Sequence, residues 1–364
     1  MTSPAIHSTP GSPTPKELIR RARDLAPQIA ALAEETERNR KIAPHIIAKI
    51  RDLELLRTTR PKEFGGFEYD AVVALEIALV ISAACASTGW AVNGALSNGI
   101  SFGHYPIETQ RELWGAGADP FSCACFAPTG RATPADGGYV LNGKWSFASG
   151  VDHSSWIRLG AMIAAPDAAP PDAPAPGAAA PDDGAFFLLP VGDVEIEDNW
   201  FVYGLSGTGS KNIIVRDAFV PAHRVLLFAD TRSGHTPGAR HHQNPLYRLQ
   251  LLVLGASMLA STAVGAAKGA LAAYLEMTSG RTTRGALAGG GLPMAKFATI
   301  QLRYAEASAA VEAAELILFT DLHAAMAKLR AGGEITVADR IHARRNQAYA
   351  TRLALQAVEA LNAS

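Results

Sequence analysis

The hydrophobic period of this chain changes twice, and that double change limits the fold more than any other feature of the sequence. From residue 16 to 117 apolar side chains recur at helical steps, and Leu18, Ala22, Leu25, Ile29 and Leu32 form one stripe. A second helix is expected after Pro44, which suits a first turn, with Ile46, Ile47, Ile50 and Leu53 on its face. Arg60 to Phe67 breaks the period and reads as a loop. Further helices are expected over 70–84 and 87–102, with a short one from Pro106 to Trp114. From 118 to 225 the period falls toward two. Residues 139–147 read as strand around an Asn142-Gly143 turn signal, and 185–190, 194–200 and 212–215 read as further strands. From 226 to 364 helical spacing returns, with long helices expected over 246–278 and 293–329 and a third from Thr336 onward. That third helix reaches Ser364 inside an apolar pattern with no stop signal, so the C-terminal domain is expected to be cut short. The expected class is α+β, mostly α: an N-terminal helical domain, a central β-domain and a C-terminal helical bundle.

Charge and composition exclude several roles. The 364 residues carry 33 basic and 34 acidic side chains, a net charge of -1. No basic run is available to displace counterions from phosphates, so no nucleic-acid partner is expected. Residues 1–15 are rich in Ser, Thr and Pro and lack the basic start and apolar core of a secretory signal. They read as a disordered lead-in to a cytoplasmic protein. Residues 164–184, almost entirely Ala, Pro, Asp and Gly, read as a mobile surface loop within the β-domain. Leu249 to Leu275 is long enough to cross a membrane. Its Ser, Thr and Lys268 and its lack of flanking anchors favour a buried bundle helix, with no membrane partner. Cys123 and Cys125 share one face if they lie in a strand, but no other cysteine completes a zinc set, so they read as small buried residues. His235, His241 and His242 have no carboxylate or further His at helical spacing and read as a surface loop, with no metal expected. The glycine-rich run 285–291 lacks the preceding strand and following Lys-Ser/Thr of a phosphate loop and reads as a linker.

Four strings carry a resemblance. They are Phe64-Gly-Gly66, Gly143-Lys-Trp-Ser-Phe-Ala-Ser-Gly150 followed by Trp156, Trp200 to Ser210, and Val215 to Arg224. Together with the order of helices, strands and helices they resemble the acyl-CoA dehydrogenase superfamily over nearly the whole chain from Lys16. Trp145-Ser-Phe-Ala-Ser-Gly150 is similar to its oxygenase branch, the two-component aromatic hydroxylases such as 4-hydroxyphenylacetate hydroxylase. The resemblance implies an acyl-CoA dehydrogenase fold and a monooxygenase that takes reduced flavin, FMN or FAD, from an NAD(P)H-dependent flavin reductase. It also implies a homotetramer, and hydroxylation of an aromatic or heteroaromatic small molecule by molecular oxygen through a flavin C(4a)-hydroperoxide. The alternatives are an acyl-CoA dehydrogenase and a non-catalytic flavin-binding subunit. One subset of dehydrogenases carries its catalytic Glu in the first long C-terminal helix, and no Glu occurs from Gly238 to Leu275. The other subset's Glu, and the oxygenase branch's catalytic His, are expected beyond Ser364.

Site residues follow from the same resemblance. Ser149 is implied beside flavin N5, where a hydroxyl can hydrogen-bond; a serine satisfied by backbone is the plain alternative. Trp90, in Ser87-Thr-Gly-Trp-Ala-Val, is implied as a wall against the isoalloxazine or the substrate, unless it is a core tryptophan. Eight residues on, Asn98 stands where phenol hydroxylases place a substrate-contacting His. An amide cannot serve as a base near neutral pH, which turns expectation from a simple phenol toward indole, a polycycle, or a sulfur or nitrogen centre. Phe126, Ala127 and Thr129 match the strand lying against the flavin. Arg248 resembles an arginine at the N1 side of the reduced flavin. Arg281 and Arg284 match phosphate-binding positions that often act across a subunit boundary, although helix-end charges favoured by the dipole would look the same. His153 could face the site or the solvent.

Overall fold

The computed structural model describes residues 11–164, 184–283 and 291–363. The lead-in before residue 11, the Ala/Pro segment 165–183, Arg284 and most of the glycine-rich linker lie outside the described residues.

Seven helices come first: α1 (Pro15–Ala31), α2 (Ala33–Asn39), α3 (Pro44–Asp52), α4 (Ala71–Ala84), α5 (Ala86–Leu96), α6 (Asn98–Gly103) and α7 (Ile107–Trp114). The stripe read from the sequence is the buried face of α1, with Leu18, Ala22, Leu25 and Ile29 in the core. Pro44 opens α3 at a position with no intrahelical N–H to lose. The helix expected over 87–102 is two, α5 and α6, joined at Ser97.

The sheet holds β1 (Ser122–Ala135), β2 (Gly138–Ala148), β3 (Trp156–Ile163), β4 (Gly184–Pro190), β5 (Glu195–Glu197), β6 (Lys211–Pro221) and β7 (Val225–Leu227). Its strand order is β5-β6-β2-β1-β3-β4-β7, and the β1–β3 pair alone is parallel among these strands. The expected Asn142-Gly143 turn is instead a bulge inside β2, where the register against β6 shifts between Leu141 and Gly143. The Asn142 side chain explains it, donating to Asp217 Oδ1 (2.9 Å) and accepting from the Asp217 amide (2.8 Å) across the sheet. The true β1–β2 turn is Asp136-Gly137, a two-residue loop with Gly137 at φ +75°.

Two short helices, α8 (Phe228–Ser233) and α9 (Pro237–His241), lead to three long ones: α10 (Leu251–Gly280), α11 (Ala298–Arg330) and α12 (Val337–Asn362). The first long helix starts later than residue 246 because Pro245–Arg248 forms a 3-10 turn. Helix α10 is long and apolar enough to cross a membrane by length and composition, but its most apolar window is 61% buried inside the protein. Small residues explain how it packs. A Cβ at Gly265 or Gly269 would stand 2.8 Å from the Leu79 carbonyl or 2.3 Å from that of Ala83, so α10 runs almost backbone to backbone against α4.

His104 fastens this bundle to the N-terminal helices. Its Nε2 donates to the Leu249 carbonyl (3.0 Å), so Nδ1 accepts from the Thr236 hydroxyl (2.9 Å) and the ring is neutral. Burial pushes its pKa down from 6.5 to about 4. A lowered histidine pKa contributes stability that is whole above the unfolded value and is lost as pH falls from 6.5 toward 4. At about pH 5 the loss is about 2 kcal/mol. Urea unfolding of wild type and His104→Gln at about pH 7.5 and about pH 5 checks it: the wild type should lose about 2 kcal/mol more on acidification than the variant.

Candidate active site

A cavity of about 270 Å³ opens where α5, α6, β1, β2 and the start of α10 converge. Two strand irregularities aim side chains into it. Strand β1 pairs with β3 through Cys125 and again from Gly130, so residues 126–129 leave the register. The bulge rests on Trp145, whose ring would lie 2.0 Å from a Cβ at Gly130 and whose Nε1 donates to the Gly160 carbonyl at 2.6 Å. Gly160 lets the displaced chain pass, since a Cβ there would meet the Phe126 carbonyl at 2.6 Å. The bulge turns Phe126 (49% exposed) and Ala127 to the cavity. Strand β2 shifts register after Trp145, with Phe147 at φ +69°, and so presents Ser146, Phe147 and Ser149 to the same cavity.

Ser149 heads a chain of hydroxyls. Ser149 Oγ lies 2.7 Å from Ser210 Oγ, Ser210 Oγ lies 2.6 Å from Thr208 Oγ1, and Thr208 Oγ1 is 2.8 Å from the Leu205 carbonyl. Three hydroxyl protons must fill three bonds, and the last oxygen only accepts. The direction is therefore fixed: Ser149 donates to Ser210, Ser210 to Thr208, and Thr208 to Leu205. Trp90 Nε1 donates to Ser149 Oγ at 2.9 Å. Ser149 thus keeps one acceptor lone pair and no free proton. The Leu205–Ser210 turn is held by Glu37 of α2, which accepts from the Ser206 and Gly207 amides (2.8 and 3.2 Å).

On another wall Ser122 Oγ donates to Asn98 Oδ1 (2.9 Å), and Asn98 Nδ2 is buried without a partner. Arg158 of β3 also lines the cavity. No Asp, Glu or His does, among the described residues. Cys123 and Cys125 line it as thiols, since burial pushes both pKa values up, Cys123 to about 12.

Of the residues singled out from the sequence, Trp90, Asn98, Phe126, Ala127 and Ser149 meet in this cavity. Thr129 does not: it lies on the exposed side of the bulge, donating to the Lys144 carbonyl at 2.8 Å. Arg248 does not begin α10 and does not line the cavity; it sits in the preceding 3-10 turn and donates to the Gly333 carbonyl at 3.2 Å. Arg281 caps the far end of α10, about 30 Å along the helix from Leu259, the last cavity residue on it. His153 packs edge-on against Phe121, away from the cavity lining. His241 and His242 do have a carboxylate nearby: Glu63, from the Phe64-Gly-Gly66 loop, stands 2.9 Å from His241 Nε2. Ser122, Arg158, Thr208 and Ser210 were not singled out. For Arg158 the signal was a lone charge within Trp-Ile-Arg-Leu-Gly-Ala-Met-Ile, an otherwise apolar strand.

Comparison with known proteins fits this architecture. Residues 12–117 match the acyl-CoA dehydrogenase N-terminal domain, and residues 257–364 match an acyl-CoA dehydrogenase C-terminal domain. The chain is 42% identical over 352 residues to the oxygenase component of FADH(2)-dependent resorcinol hydroxylase from Rhizobium sp. (strain MTP-10005), covering 95% of this chain and 83% of that protein. It superposes on 3-HSA hydroxylase from Rhodococcus sp. RHA1 with a TM-score of 0.85 at 31% identity, covering 95% and 85% of the two chains. It superposes on XiaF from Streptomyces sp., a structure holding FADH2, with a TM-score of 0.83 at 26% identity, covering 95% and 84%. The chain belongs to the acyl-CoA dehydrogenase superfamily, and within it to the oxygenase components of two-component flavin-dependent monooxygenases that hydroxylate aromatic compounds.

Proposed function

We propose that this oxygenase hydroxylates the ring of a small phenol, whose hydroxyl is received by Ser122 and Asn98. The observation that carries this is the Ser122–Asn98 pair, with its unpartnered amide N–H, on the wall of a small and otherwise largely apolar cavity. It restores to Asn98 a polar role toward a phenol. The kinship with resorcinol hydroxylase points the same way and favours FADH2 as the flavin.

The residues fit a reduced flavin. Ser149 offers a lone acceptor suited to an N–H donor such as N5–H, and Trp90, Phe126, Ala127 and Phe147 offer flat or open apolar surface. When bound, the flavin supplies the activation of molecular oxygen. The chain's part is to orient the ring, exclude water through Leu251, Leu254 and Met258, and hold the polar edge at Ser149. The absence of a carboxylate in the cavity lining, among the described residues, favours this over proton abstraction from an acyl thioester.

In this reading residues 16–117, 118–225 and 226–364 are three domains that meet around the cavity of a cytoplasmic enzyme. An NAD(P)H-dependent reductase supplies the flavin. A homotetramer is proposed because Arg281 lies too far along α10 to serve its own cavity, and because α11 and α12 expose Leu302, Leu316, Ile341 and Leu355. Arg281 would then bind the flavin phosphate of a neighbouring subunit.

Turnover with reductase, FAD, labelled dioxygen and a panel of resorcinol, phenol and indole tests the proposal. The expected product is a phenol carrying one labelled oxygen. Asn98→Ala should raise KM for it about ten-fold with a smaller change in kcat. Preferential turnover of indole, or an unchanged KM in the variant, would overturn it.

A further inference from the structure

Arg158 is a buried cation with no anionic partner among the described residues. It lies mid-strand on β3, paired with Ala124 of β1 and Leu188 of β4, and is only 5% exposed. Its guanidinium sits over the rings of Phe126 and Phe186, at 5.1 and 5.3 Å. Those contacts offset part of the lost hydration but fill none of its N–H donors. Nε and Nη1 are buried with no hydrogen-bond partner, and no carboxylate pairs with Arg158 among the described residues. Burial presses its pKa downward, with the neighbouring Tyr105 opposing only weakly as a neutral phenol whose own pKa burial raises. A buried charge left in this state is costly, and an arginine stays charged. The side chain lines the cavity that holds Ser149, Asn98 and Ser122.

We propose that Arg158 is the anion-recognition residue of the cavity, binding an ionised oxygen on the aromatic substrate. This deepens the phenol-hydroxylase reading and rests on it for the identity of the bound molecule as substrate. A phenolate or a ring carboxylate would supply the missing negative charge and accept from the guanidinium's free N–H groups. The phenolate case also accounts for the absence of a carboxylate or histidine from the cavity lining among the described residues. The phenol ionises in water, leaves its proton there and binds as the anion, so neither Asn98 nor any other lining residue need remove a proton. An ionised ring oxygen also makes the ring more electron-rich, which suits transfer of an electrophilic oxygen to carbon.

Fluorine NMR of probe binding tests this apart from turnover. 4-Fluorophenol, 4-fluorobenzoate and fluorobenzene are titrated into the protein loaded with oxidised FAD, as wild type, Arg158→Met and Arg158→Lys. At least one anionic probe should bind wild type about 10- to 100-fold more tightly than fluorobenzene, and Arg158→Met should abolish that preference while still binding fluorobenzene. Arg158→Lys, which keeps the charge but not the fork, should retain part of it. A bound 4-fluorophenol signal at the phenolate position, under conditions where the free probe is neutral, assigns the anion to a phenolate. A preference confined to 4-fluorobenzoate assigns it to a carboxylate. Thermal melting is a second readout: Arg158→Met should melt no lower than wild type, because it removes an unpaired buried charge, and the anionic probe should raise the melting temperature of wild type only. Equal binding of all three probes to wild type, or a preference that survives in Arg158→Met, overturns the proposal. Reductase-coupled turnover of phenols is scored separately: its absence with the anion preference intact refutes the phenol-hydroxylase reading and leaves the Arg158 site standing.

Discussion

Ser149→Ala is expected to shorten, by about ten-fold or more, the lifetime of the near-ultraviolet-absorbing species that precedes oxidised flavin after reduced enzyme meets oxygen. The variant loses the one acceptor that the hydroxyl chain leaves facing the cavity. It also strips the Trp90 indole N–H of its partner at 2.9 Å and ends the chain at Ser210. Stopped-flow absorbance with the variant loaded anaerobically with reduced FAD reads the effect directly. Ser210→Ala is the companion. It leaves Ser149 in place but removes the acceptor of its proton, so the hydroxyl is free to turn. A smaller shortening is expected from it. An unchanged lifetime in Ser149→Ala, with flavin still bound, would remove Ser149 from the chemistry.

Trp145→Ala should be the most destabilising single change in the β-domain, costing about 3–5 kcal/mol in urea unfolding. Trp145 is 1% exposed and is among the largest fully buried side chains of the chain. Truncation opens a cavity under the 126–129 bulge and leaves the Gly160 carbonyl without its 2.6 Å donor. The bulge is then free to fall back toward β3, carrying Phe126 and Ala127 away from the cavity. Flavin affinity should therefore drop in the folded variant as well. Trp145→Phe keeps most of the volume and loses the hydrogen bond, so about 1–2 kcal/mol is expected from it. A loss below about 1 kcal/mol in Trp145→Ala would show that the bulge does not depend on the ring.

Much of the fold was legible because periodicity and punctuation are local. The α1 stripe, Pro44 at the head of α3 and the return of helical spacing after the sheet each depend on residues within a turn or two. Asn142-Gly143 was misleading because the same dipeptide serves a hairpin and a bulge; only the partner strand, through Asp217, decides which. The late start of α10 likewise depends on a distant group: the Leu249 carbonyl is held by His104 rather than by the helix. The site divides in the same way. Trp90, Asn98, Phe126, Ala127 and Ser149 lie in contiguous strings whose resemblance could be read. Ser122 and Ser210 matter through bonds to Asn98 and Ser149, 24 and 61 positions away, a separation that no single string spans. Thr129 and Arg248 also came from matched strings, and a bulge and a 3-10 turn direct their side chains to the Lys144 and Gly333 carbonyls, outside the cavity lining.

Rapid mixing of the wild-type protein, loaded anaerobically with reduced FAD, with oxygenated buffer tests the oxygenase assignment of this cavity most directly. The assignment predicts a distinct species absorbing in the near ultraviolet that persists before oxidised flavin appears, and whose decay changes when a small phenol is present. Slow, single-step reoxidation with no such species, and no response to any phenol, would contradict it.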